Sequence, residues 1–271
     1  MSRLIIAALL ACVAAPASSV EAVVDPLGEE RWLFAIGGFR SDFDTNIRVD
    51  SRELGQGTEF GFERDLGLDS TDSLARYEAA VRIGDRHRLS LTYFDAAREK
   101  SARIQRTIEF GDLVYDVDLR LRGSFDARVA EILYHFAFWR SERVRAEALI
   151  GVHELTLRAR LAAELAGTGE AAVGVAKASG PLPVVGTSIF WQLSKRWRYD
   201  LHLQALDAEF GDFDGRVLDV RTGFAFRPSD HFEVALYYNR FDLDLDIDKP
   251  RWTGTLDFDY HGPQLNLAAR F

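Results

Sequence analysis

The segment Gln264-Leu265-Asn266-Leu267-Ala268-Ala269-Arg270-Phe271 alternates with a period of two. Leu265, Leu267, Ala269 and Phe271 share one face, and Gln264, Asn266, Ala268 and Arg270 share the other. A helix would repeat its apolar positions every three to four residues, so this is a strand with one apolar and one largely polar side. About nine residues separate Pro263 from Phe271, the length with which a tilted strand crosses the hydrocarbon layer of a bilayer.

The same period runs back through the chain. Trp32, Phe34 and Ile36 alternate with smaller residues, and Tyr77, Ala79, Val81 and Ile83 oppose Arg76, Glu78 and Arg82. Leu89 and Leu91 oppose Arg88; Ile132, Tyr134 and Phe136 oppose Glu131 and His135; Ala146, Ala148 and Ile150 oppose Arg145 and Glu147. Later, Tyr199, Leu201 and Leu203 oppose Arg198, Asp200 and His202, and Leu218 and Val220 oppose Asp219 and Arg221. A soluble sandwich does not bury so many charges on its inner face. The apolar faces must therefore point outward into lipid, and the charged faces must line a lumen. Short turns at 84–86, 140–142, 194–196 and 228–230 lie beside aromatic residues, including Trp32, Trp139, Trp191, Trp197, Phe226, Phe232 and Phe271, as an interfacial girdle requires.

The opposite connections, about residues 41–73, 98–124, 158–182, 207–216 and 242–261, read as long polar loops. Five hairpins give an all-β, antiparallel up-and-down transmembrane barrel of about ten strands, with eight or twelve also compatible. The alternation slips phase near His153-Glu154, Asn239-Arg240 and Gly262-Pro263. Proline cannot donate to a ladder, so Pro263 points to a bulge or a rim position.

The chain has 271 residues and a formal charge of -9. That balance argues against nucleic acid as a partner. Met1-Ser2-Arg3, the apolar run from Leu4 to Ala15 and the small residues up to Ala22 form an expected signal peptide over residues 1–22, with cleavage after Ala22 preferred to Ala17. The single cysteine, Cys12, lies within it, so the exported domain, residues 23–271, has no thiol chemistry.

Several short segments are similar to those of a family of uncharacterised proteobacterial outer-membrane β-barrel proteins: Glu63-Arg64-Asp65-Leu66-Gly67-Leu68, Ile108-Glu109-Phe110-Gly111-Asp112, Gly151-Val152-His153, Pro181-Leu182-Pro183-Val184-Val185-Gly186, Tyr238-Asn239-Arg240-Phe241-Asp242-Leu243-Asp244-Leu245 and Arg270-Phe271. The alternating strand Leu265, Leu267, Ala269, Phe271 also resembles the signal read by the barrel-assembly machinery. The resemblance implies location and architecture, and it carries over no catalytic residue or cofactor.

Three sets of residues are candidates for chemistry. The lumen set is Arg76, Glu78, Arg82, Arg88, Glu131, His135, Arg145, Glu147, Asp200, His202, Asp219 and Arg221. Such charges either pair into a plug or line a narrow channel for small solutes. The acidic set is Asp242, Asp244, Asp246, Asp257 and Asp259, whose carboxylates suit a hard divalent cation of the kind that bridges lipopolysaccharide phosphates. Asp259 and His261 share a strand face, the pairing with which omptin-class outer-membrane proteases activate water. Omptin pairs, however, face each other across the barrel mouth from distant strands, whereas these acids lie in one hairpin. A lipid A deacylase of the His-x-Ser type is not favoured, because no His-x-Ser occurs. The third set is 63–68, whose two leucines need cover and are expected to fold over or into the barrel mouth. The favoured function is a non-enzymatic envelope protein whose outer loops contact a ligand or lipopolysaccharide. A narrow channel comes second, and an outer-rim hydrolase acting on lipid A or peptide third.

Overall fold

The computed structural model describes residues 25–53, 55–165, 169–211 and 213–271. The expected signal peptide, with Cys12, lies outside these residues.

Thirteen strands and one short helix follow in chain order: β1 (Trp32–Ser51), β2 (Phe60–Gly61), α1 (Phe62–Leu66), β3 (Thr71–Ile83), β4 (His87–Arg103), β5 (Ile108–Phe110), β6 (Leu113–Tyr115), β7 (Arg120–Arg140), β8 (Val144–Leu165), β9 (Gly169–Gln192), β10 (Trp197–Phe210), β11 (Phe213–Ser229), β12 (Phe232–Asp248) and β13 (Trp252–Arg270). Ten of them, all but β2, β5 and β6, pair antiparallel with their neighbours, and β13 returns to β1. The closing ladder runs from Leu33 opposite Arg270 to Ser51 opposite Trp252. This closed ring of ten is the outer-membrane barrel architecture, with no sheet edge left in the lipid.

The long polar loops expected on the outer side are mostly strand. β8 has 22 residues and β9 has 24, about twice what a crossing needs. Polar outer residues were misread as loop because, beyond the lipid, an outward strand position faces water and takes charge. The interior there becomes apolar.

β12 shows the change most plainly. Outward positions read Phe232, Val234, Leu236 and Tyr238, then Arg240, Asp242, Asp244, Asp246 and Asp248. Inward positions read Glu233, Ala235, Tyr237 and Asn239, then Phe241, Leu243, Leu245 and Ile247. The alternation of buried and exposed residues never breaks. β8 does the same after His153, where Leu155, Leu157, Ala159 and Leu161 turn inward. The three apparent phase slips are therefore no slips: at each, the chemistry of the two faces exchanges while the backbone keeps its register. Pro263 sits opposite Tyr238 with no bulge. It marks the rim, since Asp257, Asp259 and His261 precede it on the outer face and Leu265 and Leu267 follow. Register shifts occur elsewhere, at Ala137/Trp139, Ala162/Ala163 and Phe226/Ser229.

The outer half of the bore is filled by a hydrophobic core built partly from inserted segments. Phe60, Phe62, Leu66 and Leu68 from the β1–β3 connection, and Ile104, Ile108, Phe110 and Tyr115 from the β4–β7 connection, pack among Phe43, Phe125, Leu161, Leu243 and Phe258. The segment 63–68 folds into the barrel as α1 and its cap. Gly67, with φ +66, closes the helix, and Leu68 N–H donates to Phe62 O at 3.0 Å. Gly123 on β7 makes room for it: a Cβ there would stand 2.6 Å from Leu66 Cδ1.

The inversion is testable by charge insertion. Leu236→Arg, within the lipid-facing band, is expected to destabilise the barrel by about 2–4 kcal/mol. Asp244→Arg, on the same outer face of the same strand but above the rim, is expected to change stability little. Denaturant unfolding in phospholipid bilayers measures both, and equal effects would refute the assigned rim.

Candidate functional site: the charged lumen and the acidic outer wall

The inward positions of the membrane-crossing strands bring the charged residues of the lumen together in three groups. In the first, near the periplasmic end, Arg145 is fully buried and its Nε donates to Glu147 Oε1 at 2.6 Å. Arg88 Nη2 reaches Glu147 Oε2 at 2.6 Å. Asp25, ahead of the first strand, pairs with Arg145 and also faces Arg82 at 3.4 Å and Arg140 at 3.6 Å. In the second, Arg198 makes a fork to Asp200, with Nη2 to Oδ2 at 2.8 Å, and reaches Glu233 at 3.0 Å. Arg270 completes this group by donating to Glu233 at 2.7 Å. Higher up, Arg221 pairs with Glu78 at 3.1 Å, and His153 lies 2.7 Å from Glu131. Arg76 stacks over Phe94 at 5.7 Å, and His202 contacts Ser188 at 3.0 Å.

The segment 25–28 closes the periplasmic mouth. Its backbone carbonyls take up arginine donors that carboxylates leave free: Pro26 O accepts from Arg198 and Arg227, at 3.3 and 2.9 Å, and Gly28 O accepts from Arg82. Sequence reasoning missed Asp25, Glu233 and Arg270 as members of the lumen. Glu233 and Arg270 sit at inward positions of regular strands, so the alternation itself marks them. Asp25 carries no such signal, because no strand period covers it.

What remains open inside is small. An open cleft of about 410 Å³ lies at the outer end of the wall, by Asp50, Asp214, Asp246 and Asp248; within the charged bore, one cavity beside Leu27, Arg82, Arg88 and Tyr237 has a volume of about 70 Å³, and another, lined by Ser90, His135, Glu131 and Arg221, about 20 Å³. The two bore cavities hold a few waters at most.

One arrangement resembles a catalytic triad. Ser90 Oγ lies 2.9 Å from His135 Nε2, and His135 Nδ1 lies 3.2 Å from Glu147. Arg88 Nη2, however, stands 2.9 Å from that same Nδ1. A guanidinium only donates, so Nδ1 must accept and the ring proton must sit on Nε2, where it is given to Ser90. A serine nucleophile needs the reverse, an Nε2 free to take the hydroxyl proton.

The acidic residues all lie on the outer wall, above the lipid-facing band. Asp44 on β1, Asp259 on β13 and Asp242 on β12 stand directly opposite one another across three adjacent strands, and Asp257 faces Asp244. Like charges so placed repel. Partial burial and then the neighbours Asp242, Asp244 and Asp44 push the Asp259 carboxyl up to about 6, and burial with Asp244 raises that of Asp257. Asp246 continues the row outward on β12, opposite Thr255. Asp259 and His261 do share this face, on the outside of the wall and away from the bore.

Two outcomes are expected. Arg145→Ala leaves Glu147 and Asp25 buried without their shared cation and should cost about 3–5 kcal/mol, read by denaturant unfolding. For Asp259 the folded-state carboxyl is raised above its ordinary 3.8, so its favourable contribution is complete below that value and is lost as pH rises through about 6. Asp259→Asn should therefore raise the thermal midpoint at pH 7.5 and narrow the stability gain that the unsubstituted protein shows on acidification to pH 5. Heat-modifiable gel mobility reads the midpoints, and an unchanged pH profile would refute the assignment.

No protein-family model and no curated protein sequence matches the chain. Among solved structures, the outer membrane protease OmpT from Escherichia coli superposes with a TM-score of 0.59 at 7% identity, over 89% of this chain and 97% of that one. The translocator domain of the autotransporter NalP from Neisseria meningitidis gives 0.43 at 9% identity over 88% of each chain. The toluene transporter TbuX from Ralstonia pickettii gives 0.39 at 10% identity over 92% of each. At 7% identity the likeness to OmpT is one of fold, and it agrees with what the residues dictate: an apolar outer band, an aromatic girdle and a polar lumen make this chain a β-barrel of the bacterial outer membrane.

Proposed function

We propose that the protein is a non-enzymatic envelope protein, a plugged barrel whose projecting outer wall contacts lipopolysaccharide. The observation that carries this reading is the occupied bore. Ion pairs fill its lower half, the 25–28 segment covers the periplasmic mouth, and a hydrophobic core with α1 and the β5–β6 hairpin fills the outer half. The cavities among the lumen charges have volumes of about 70 and 20 Å³. A solute path would require both halves to open.

On this reading the wall above the rim stands among the lipopolysaccharide head groups. There it presents Arg240 beside the Asp44, Asp259 and Asp242 row. Divalent cations shared between these carboxylates and lipid phosphates would relieve the repulsion within the row. During biogenesis the outward Leu265, Leu267, Ala269 and Phe271 are what the barrel-assembly machinery would read.

Planar-bilayer recording of the refolded mature protein, with folding verified by heat-modifiable mobility, tests the reading. A silent bilayer is expected. Regular current steps would overturn the proposal in favour of a narrow channel, and their change on Arg221→Ala would place the constriction among the lumen arginines. Calcium-dependent flotation with lipopolysaccharide vesicles, weakened several-fold in an Asp242→Asn/Asp259→Asn variant, is the expected positive result.

A further inference from the structure

Three side chains from three strands converge in the bore just below the hydrophobic core: Glu131 on β7, His153 on β8 and Asp219 on β11. One donor atom from each lies within 4.8 Å of the others, and all three residues are buried. Gln204 on β10 adds a fourth group, its Oε1 being 3.0 Å from His153 Nε2 and its amide donating to Glu131 Oε2 at 2.9 Å. A cavity of about 10 Å³, large enough for one atom, is lined by Glu131, His153 and Asp219 together with Arg76 and Tyr260.

The odd member is Asp219. It is 8% exposed, and its carboxylate receives no hydrogen bond and no ion pair. The nearby cations are turned elsewhere: Arg221 holds Glu78 at 3.1 Å and Arg76 lies over the Phe94 ring. They act on Asp219 through the field without touching it. Around it, three acids, Glu78, Glu131 and Asp219, share the layer with three arginines, Arg76, Arg88 and Arg221, of which Arg88 is held by Glu147 at 2.6 Å and Arg221 by Glu78. A buried carboxylate with no protein donor depends on cavity water for its solvation, and a cation contacting it takes the place of that water.

We propose that Glu131, His153 and Asp219 bind a divalent first-row transition ion of the zinc class, with Gln204 Oε1 as a fourth donor. One imidazole nitrogen and carboxylate and amide oxygens are the donor set such ions accept, and thiolate-seeking ions are disfavoured. Bonds of about 2.0–2.2 Å to four such atoms need only small rotations of side chains that already converge. The ion displaces to solvent any proton shared between His153 and Glu131. Its effect is to tie β7, β8, β10 and β11 together across the bore, at the level where the polar lumen meets the hydrophobic core. The site is separate from the outer-wall acids, and it stands whether or not the wall binds lipopolysaccharide.

The test is refolding of the full mature chain in metal-free buffer with added zinc, followed by desalting, metal analysis and zinc-edge X-ray absorption. One zinc per barrel is expected, with one imidazole nitrogen and the remaining ligands oxygen. Asp219→Asn, verified as folded by heat-modifiable mobility, should weaken zinc binding by at least about tenfold. The outer-wall variant Asp242→Asn/Asp259→Asn should retain zinc fully. Zinc absent from the unsubstituted protein, retained equally by Asp219→Asn, lost from the outer-wall variant, or bound without an imidazole would each overturn the proposal. The absorption spectrum of the unsubstituted protein decides the matter if Asp219→Asn does not fold.

Discussion

The structure depends on the ladder between β1 and β13. Lipid offers no partner to a backbone N–H or C=O, so a sheet that enters it must leave no edge. Here the first and last strands pair from end to end in one register, interrupted only at Arg40 and Ser41 beside Pro263, down to Trp32 N–H on Phe271 O at 2.7 Å and Phe271 N–H on Trp32 O at 2.9 Å. Once the ring is closed, every residue is committed to the inside or the outside. The period of two becomes a map of environments.

That map changes with height while the backbone does not. Where lipid surrounds the wall, outward side chains must be apolar, and the polar inward set keeps a strand from pairing one residue out of register and turning its charges to the lipid. Where water surrounds the wall, the hydrophobic effect acts in the usual direction, and the interior becomes a core of phenylalanine and leucine. The molecule is thus a membrane barrel below and a water-soluble barrel above, on the same ten strands. The inserted segments are held by the upper part: Glu63 of α1 accepts from Thr45 N–H at 2.8 Å and pairs with Arg98, which itself lies 4.2 Å from the Phe43 ring.

The ion pairs of the lower bore are better understood as specification than as stability. Buried pairs recover little beyond their desolvation, but breaking one leaves a charge stranded. Arg198 between Asp200 and Glu233, and Arg145 between Asp25 and Glu147, each join distant parts of the chain, so the 25–28 segment is positioned by the same charges that fill the bore. Asp219 stands apart from these pairs: among the described lumen acids, its carboxylate has neither a hydrogen bond nor an ion pair.

Closure, strand number and the inward set from Arg76 to Arg221 were legible in the sequence because a two-residue period over a lipid-facing wall leaves few alternatives. The burial of Leu66 and Leu68 was legible too, since an apolar pair in a polar stretch must find cover. Other features were invisible. The outer half of β12 carries Asp at every second position from Asp242 to Asp248, and β13 adds Asp257 and Asp259, which reads as a loop until one knows that Leu243, Leu245, Phe258 and Tyr260 turn into a shared core. Local sequence determined which residues share a face; only the closed tertiary structure decided whether that face looks onto lipid, water, ion pairs or core, because the period of a strand is set by its own backbone and the polarity of its two sides by what lies beyond them.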